Sequence, residues 1–282
     1  MTTTISYQGE PGSNSDIASR ECYPEGQGLP SASFEDALAA VQTGAADLAM
    51  IPIDNSSNGR VADIHHFLPR SGLHIVAEFF LPIHFQLLAV EGATRASVRT
   101  VHSHVHALGQ CRRITAELGL TAVVAGDTAG AAREVAEAND PSRAAFATAL
   151  AGEIYGLRTL ASDVEDEKHN TTRFVVLARE RTTPPSTGGP TVTTFVFRIR
   201  NIPGALYKAL GAFATNMINM TKLESYMMDG EFAATGFLVD VEAHPEEPAL
   251  ARALEELTYF TDELDILGVY PAHPYREQSR RA

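Results

Sequence analysis

The chain has 282 residues, 44% hydrophobic and 20% charged, enough for one large or two ordinary domains with a sizeable core. Its formal net charge of −13 opposes binding to a phosphate backbone or an anionic membrane surface, so neither nucleic acid nor membrane is an expected partner. No apolar run approaches the roughly 20 residues of a membrane span. The N-terminus lacks the basic and apolar regions of a secretory signal, and Cys22 and Cys111 alone give no disulfide framework, so a cytoplasmic location is expected.

The first half alternates helix and strand. Ser33 is a good N-cap with Glu35 and Asp36 in the first turn, Phe34, Leu38 and Val41 make a helical stripe, and Gly44 ends it. Strands are expected at Leu48–Ile53, His74–Phe80, Phe85–Val90, Thr121–Val124, Ala144–Thr148 and Phe174–Ala178, the first and last of them buried. Helices are expected from about Ala107 to Leu118, from Asp127-Thr128 to about Ala138, and in a short piece ending at Gly156. Such alternation predicts an α/β fold with helices covering a mostly parallel sheet.

Thr182–Pro190 has no large apolar residue and is rich in turn formers, which marks a domain boundary. Beyond it the pattern changes. Thr193–Arg200 alternates, Asn201–Gly204 is a turn, Ala205–Ala214 an amphipathic helix, and Ile218–Met227 a strand. Asp229-Gly230 signals a hairpin, followed by a strand at Phe232–Val241, a helix at Pro248–Thr258 and a last strand at Leu264–Val269. The order β-α-β-β-α-β is that of a ferredoxin-like α+β module; exposed faces on such small sheets associate side by side, so a dimer is expected.

Chemistry concentrates where strands meet loops. At the mouth of the Phe174–Ala178 strand, Thr172 offers a hydroxyl beside the fixed cation Arg173, which can take a carboxylate bidentately. The plainer reading is a threonine that suits a strand and an arginine in a surface pair. Tyr7–Ser15 follows the first apolar residues and leads towards a helix, and its glycines, Gly12 among them, let a ligand approach the backbone, with hydroxyls such as Ser13 at the helix N-terminus. It lacks the Gly-x-Gly-x-x-Gly spacing of a dinucleotide site and reads equally as an ordinary turn. Asp54, Asn55 and Ser56 leave the carboxyl end of a strand, where open α/β sheets place ligands, or else belong to a turn that caps the next helix. Asp127 and Thr128 cap a helix and would bind a carboxylate if that helix faced a cleft. His102, His104 and His106 alternate as zinc ligands on a strand would, but they lack a fourth ligand and a helix starts at Ala107. Helix capping beside a substrate, or plain surface, therefore stands against a metal.

Taken in order, Tyr7–Gly12, Pro52–Gly59, Ser103–Leu108, Asp127–Ala132, Asn170–Phe174, Pro203–Leu206 and Glu224–Met227 resemble the motifs of bacterial prephenate dehydratase with its C-terminal ACT domain. The resemblance covers nearly the whole chain. It implies a catalytic domain over 1–181, its two lobes (about 1–77 with 160–181, and 78–159) arranged as in periplasmic binding proteins. A linker at 182–191, an ACT domain at 192–272 and a tail at 273–282 would come next. The implied reaction is dehydration and decarboxylation of prephenate to phenylpyruvate, without cofactor or metal. Thr172, Arg173, Asn55 and Ser56 would carry it, and Gly12, Ser13, His104, Asp127, Thr128, Thr148, Asn170 and Phe174 would bind substrate. L-Phenylalanine would bind at Asn201, Pro203, Gly204, Ala205, Leu206, Asn219, Glu224 and Ser225, in a dimer or tetramer associated partly through ACT domains.

The sequence departs from the family pattern in three places. Asp54 replaces Glu, Val105 and His106 replace Pro and Gln, and Tyr226 and Met227 replace Arg and Pro. The same chemistry on arogenate, with an amine in place of the ketone, is the nearest alternative. A non-catalytic amino-acid sensor is the rival from another class, and Thr172 and Arg173 together argue against it.

Overall fold

The computed structural model describes residues 2–61, 64–227 and 234–281. Strand β1 (Thr4–Gln8) leads to helix α1 (Asn14–Cys22), then β2 (Gln27–Ser31), α2 (Phe34–Thr43), β3 (Leu48–Asn55) and the short β4 (Gly59–Arg60). Helix α2 begins and ends as its sequence predicts: Ser33 Oγ accepts the Asp36 N–H, and Gly44 closes it at φ +83°. A one-turn α3 (Ile64–Phe67) and a 3-10 turn at Leu68–Arg70 precede β5 (His74–Pro82) and β6 (Gln86–Ala89).

After β7 (Thr100–Ser103), the single helix expected over 107–118 is two pieces, α4 (Val105–Gln110) and α5 (Arg112–Glu117). They break at Cys111, where the backbone leaves helical geometry (φ −123°, ψ 36°). The Asp166 carboxylate then accepts the Arg112 and Arg113 N–H groups that start the second piece. Next come β8 (Thr121–Val124), α6 (Thr128–Ala138), β9 (Arg143–Ala147), α7 (Ala149–Tyr155), β10 (Arg158–Ala161) and β11 (Thr171–Ala178).

The remainder is β12 (Thr191–Ile199), α8 (Ala205–Thr215), β13 (Met220–Met227), β14 (Ala234–Val241), α9 (Pro248–Thr258), β15 (Thr261–Pro271) and a tail helix α10 (Tyr275–Arg281). The Asp229-Gly230 hairpin lies outside the described residues. No described helix is long and apolar enough to cross a membrane.

Contacts group the chain into two units, Met1–Val61 with Phe80–Phe174, and Ala62–Phe79 with Val175–Ala282. The first holds two open sheets. In one, β2, β1, β3 and the start of β11 lie side by side, with parallel pairing of β1 to β2 and to β3. In the other the order is β10-β6-β9-β7-β8, parallel from β9 through β7 to β8. The central strands are apolar on both faces: Ile5, Met50, Ile51 and Ile53 in one sheet and Val101, Ala145 and Phe146 in the other are at most 1% exposed.

The second unit carries an antiparallel sheet in the order β13-β14-β12-β15, the arrangement of a ferredoxin-like βαββαβ module, with β5 added beside β15. Helices α8, which contributes Phe213, and α9 bury one face of it over Phe195, Phe197 and Phe237. The rings of Phe195 and Phe213, and of Phe197 and Phe237, stack at 5.6 and 5.2 Å. A Cβ at Gly268 would run into the Ile75 carbonyl, so only glycine admits β5 this closely. On the opposite face Glu78, Thr194, Asp240 and Tyr270 are buried polar groups. Thr194 Oγ1 donates to Asp240 Oδ1 at 2.6 Å and shares a hydrogen bond with the Tyr270 hydroxyl.

Candidate active site

The carboxyl end of β3 delivers Asp54 and Asn55, and the adjacent start of β11 delivers Thr171, Thr172 and Arg173. Asn55 sets the chemistry by the direction of its hydrogen bonds. Its Oδ1 accepts the backbone N–H groups of Ser57 and Asn58 at 3.0 and 2.9 Å, so that atom must be the carbonyl oxygen. Its Nδ2 is therefore the donor, to Thr172 Oγ1 at 3.0 Å and to Asn170 Oδ1 at 2.8 Å. Thr172 Oγ1 accepts, which leaves its own hydrogen to be donated to another group.

The hydrogen bonds continue outward with the same polarity. Asn170 accepts through Oδ1, so its Nδ2 donates, to Gln110 Oε1 at 3.0 Å. That fixes Gln110 Nε2 as a donor, and it is buried without a partner. An unpaired buried donor costs about 1–3 kcal/mol, which makes this amide a candidate to meet an acceptor on a ligand. Gln110 closes α4 and was not among the residues expected from sequence. A glutamine at the end of a short helix has no local signature, and only the fold brings it to Asn170, 60 positions away.

Thr172, Arg173 and Asn170 are 9%, 7% and 3% exposed. Arg173 Nη1 stands 3.5 Å from Asp54 Oδ2, a long contact for a charge-assisted pair. Ser56, expected among the residues that carry the reaction, is exposed and braces the strand: its Oγ donates to the His169 carbonyl at 2.7 Å and accepts the Thr171 N–H at 2.9 Å.

The other expected residues fall in two groups. Ser13, His104, Asp127 and Thr148 cap α1, α4, α6 and α7, each accepting a backbone N–H, and Thr128 opens α6. Thr148 Oγ1 also donates to the Gly12 carbonyl at 2.5 Å. His104 lies beside the His106 ring, centroids 5.0 Å apart, and burial, then His106, lowers its pKa, so it is neutral at pH 7. Phe174, in contrast, is 1% exposed and belongs to the strand core. Both cysteine thiols are pushed up by burial, against nucleophilic use.

In the second unit Gly204 stands at φ +78° before α8, Ala205 is buried, and Leu206 packs against the core. Asn219 Nδ2 donates to Glu242 Oε2 at 3.0 Å. Glu224 and Ser225 lie on β13, and the Tyr226 phenol, pushed up by burial, is 8% exposed.

Two open α/β sheets with polar groups gathered at the carboxyl end of a strand make an α/β scaffold of the kind that binds small molecules, and likeness to known proteins gives its family. The family model for prephenate dehydratase matches residues 5–182, and the chain belongs to that family. It is 51% identical to the bifunctional N-acyl-homoserine lactone acylase/prephenate dehydratase of Komagataeibacter europaeus, over 97% of this chain and 98% of that one. It is 38% identical to arogenate dehydratase/prephenate dehydratase 2 of Arabidopsis thaliana, over 95% of this chain and 72% of that one. The structure of prephenate dehydratase in complex with L-Phe from Arthrobacter aurescens superposes with a TM-score of 0.87. It is 30% identical and covers 96% of this chain and 90% of that one. The α/β fold expected from sequence is therefore that of prephenate dehydratases.

Proposed function

We propose that this chain is a prephenate dehydratase of phenylalanine biosynthesis, converting prephenate to phenylpyruvate, water and CO2. The observation that carries this is the Asn55-to-Thr172 hydrogen bond, whose direction leaves the Thr172 O–H free to donate toward a leaving hydroxyl. In prephenate the ring carbon opposite that hydroxyl bears a carboxylate and a pyruvyl arm. The C–CO2 bond breaks, its electron pair becomes part of the aromatic ring, and the C–O bond opposite breaks as the hydroxyl takes up a proton and leaves as water. Alignment and one proton are what the enzyme must supply. A threonine hydroxyl is too weak an acid to be the ultimate proton source, so Thr172 orients or relays the proton. Arg173 holds a carboxylate, and Gln110 Nε2 offers a second donor in the same hydrogen-bonded chain.

Residues 1–181 form the catalytic domain in this reading, 182–191 the linker and 192–272 an ACT domain that binds L-phenylalanine near Pro203–Leu206. Tyr207 and Met217, 84% and 91% exposed, favour association of the second unit with another copy, as a dimer or tetramer. Mixing the protein with prephenate and following phenylpyruvate absorbance tests the reaction, and arogenate with phenylalanine as product tests the nearest alternative. Identity of 51% along nearly its whole length with a protein named as an acylase as well supports a second reading. In that reading the chain also hydrolyses the amide of N-acyl-homoserine lactones, measured as release of the free lactone amine.

A further inference from the structure

The loop after β1 is held in an unusual way. Three consecutive residues, Glu10, Pro11 and Gly12, are each gripped by a side chain from the helices of the other sheet in the same unit. Arg133 of α6 lies 3.6 Å from the Glu10 carboxylate. The Tyr155 hydroxyl, at the end of α7, donates to the Pro11 carbonyl at 3.0 Å, and Thr148 Oγ1 donates to the Gly12 carbonyl at 2.5 Å. From its own side Asp16, 1% exposed, accepts the Gly12 N–H at 2.8 Å.

Gly12 permits this packing. Its φ is +87°, and a Cβ there would lie 2.7 Å from Ala151 Cα, so α7 rests directly on the loop backbone. Helix α7 has its own caps apart from these contacts. Thr148 already caps α7 by accepting the Ala151 N–H, and Gly156 ends it in the left-handed conformation. A loop fixed at four points before substrate arrives loses little freedom on binding, which is how pre-organisation raises affinity.

We propose that Tyr155 and Arg133 are positioning residues for the dehydratase reaction. With Thr148 they set the place of the Glu10–Gly12 loop, which leaves the carboxyl end of β1 beside its parallel neighbour β3, at the sheet end that delivers Asn55; the proposal rests on the dehydratase reading. The test is steady-state kinetics on Tyr155→Phe, which removes one oxygen and keeps the ring. KM should rise about tenfold with kcat within about twofold of wild type. Arg133→Lys, which keeps a charge for Glu10, should shift KM less than Arg133→Gln. An unchanged KM in Tyr155→Phe would overturn the proposal and reduce the contact to a structural strap. A fall in kcat matching that of Thr172→Ala would overturn it too, since the phenol would then act on the reacting atoms. Wild-type protein inert toward both prephenate and arogenate would overturn the functional reading and the positioning role with it.

Discussion

Thr172 differs from a strand-filling threonine because Asn55, locked by two backbone N–H groups, can only donate to it. Thr172→Ala should therefore lower kcat by roughly 10²-fold, the scale of a positioned proton-transfer group, while the melting temperature stays near wild type. Gln110→Leu separates function from stability more sharply. It removes one buried unpaired donor and leaves another, Asn170 Nδ2, without its acceptor, so thermal stability should change little while kcat/KM falls. A variant that lost stability and kept turnover would show that Gln110 only braces Asn170. Asn55, Thr172 and Arg173 were legible in the sequence because each ends or starts an apolar run. Gln110, Tyr155 and Arg133 were not, because their partners are brought close by the fold and no local spacing announces them.

At the scale of elements, strands that are apolar on both faces and helices with side-chain caps were readable. The polar edges were not. β2, reading Gln-Gly-Leu-Pro-Ser, and the two-residue β4 carry no apolar alternation; β2 adds to the edge of β1, and β4 to the last residues of β3, beyond its pairing with β1. The tail helix α10 was likewise invisible, since its anchor is a single charge. Arg276 Nε and Nη2 pair with Glu78 Oε1 and Oε2 at 2.6 and 2.8 Å, and the Glu78 side chain is fully buried. Removing the cation strands a buried carboxylate, so Arg276→Met should destabilise the protein by about 3–5 kcal/mol. The double variant Arg276→Met with Glu78→Gln should recover part of that loss, measured by chemical denaturation. Equal stability of Arg276→Met and wild type would mean that the tail contributes no anchorage.

For the whole molecule, three histidines set an acid limit. Burial lowers the pKa of His102, His104 and His273, so between their folded and unfolded values the unfolded chain binds more protons. Stability is then highest above about pH 6.5 and is lost as pH falls through the folded values. Melting temperature should drop from about pH 7.5 to about pH 5.5, and less steeply in His273→Gln. Effector binding belongs to this scale as well. Phenylalanine should bind the wild type in calorimetry and bind weakly or not at all to Gly204→Val. That substitution forces a β-branched residue to φ +78°, although the space beside Gly204 is open. Equal binding by both proteins would place the effector elsewhere. If the Thr172–Asn55–Arg173 constellation performs the aromatising dehydration, turnover of prephenate by the purified wild type and by Thr172→Ala, with phenylpyruvate and CO2 both measured, will show it. The wild type should release one CO2 per phenylpyruvate, and the variant should lose about two orders of magnitude in rate; prephenate left unconverted by wild type, or converted equally by both, would remove the constellation from the reaction.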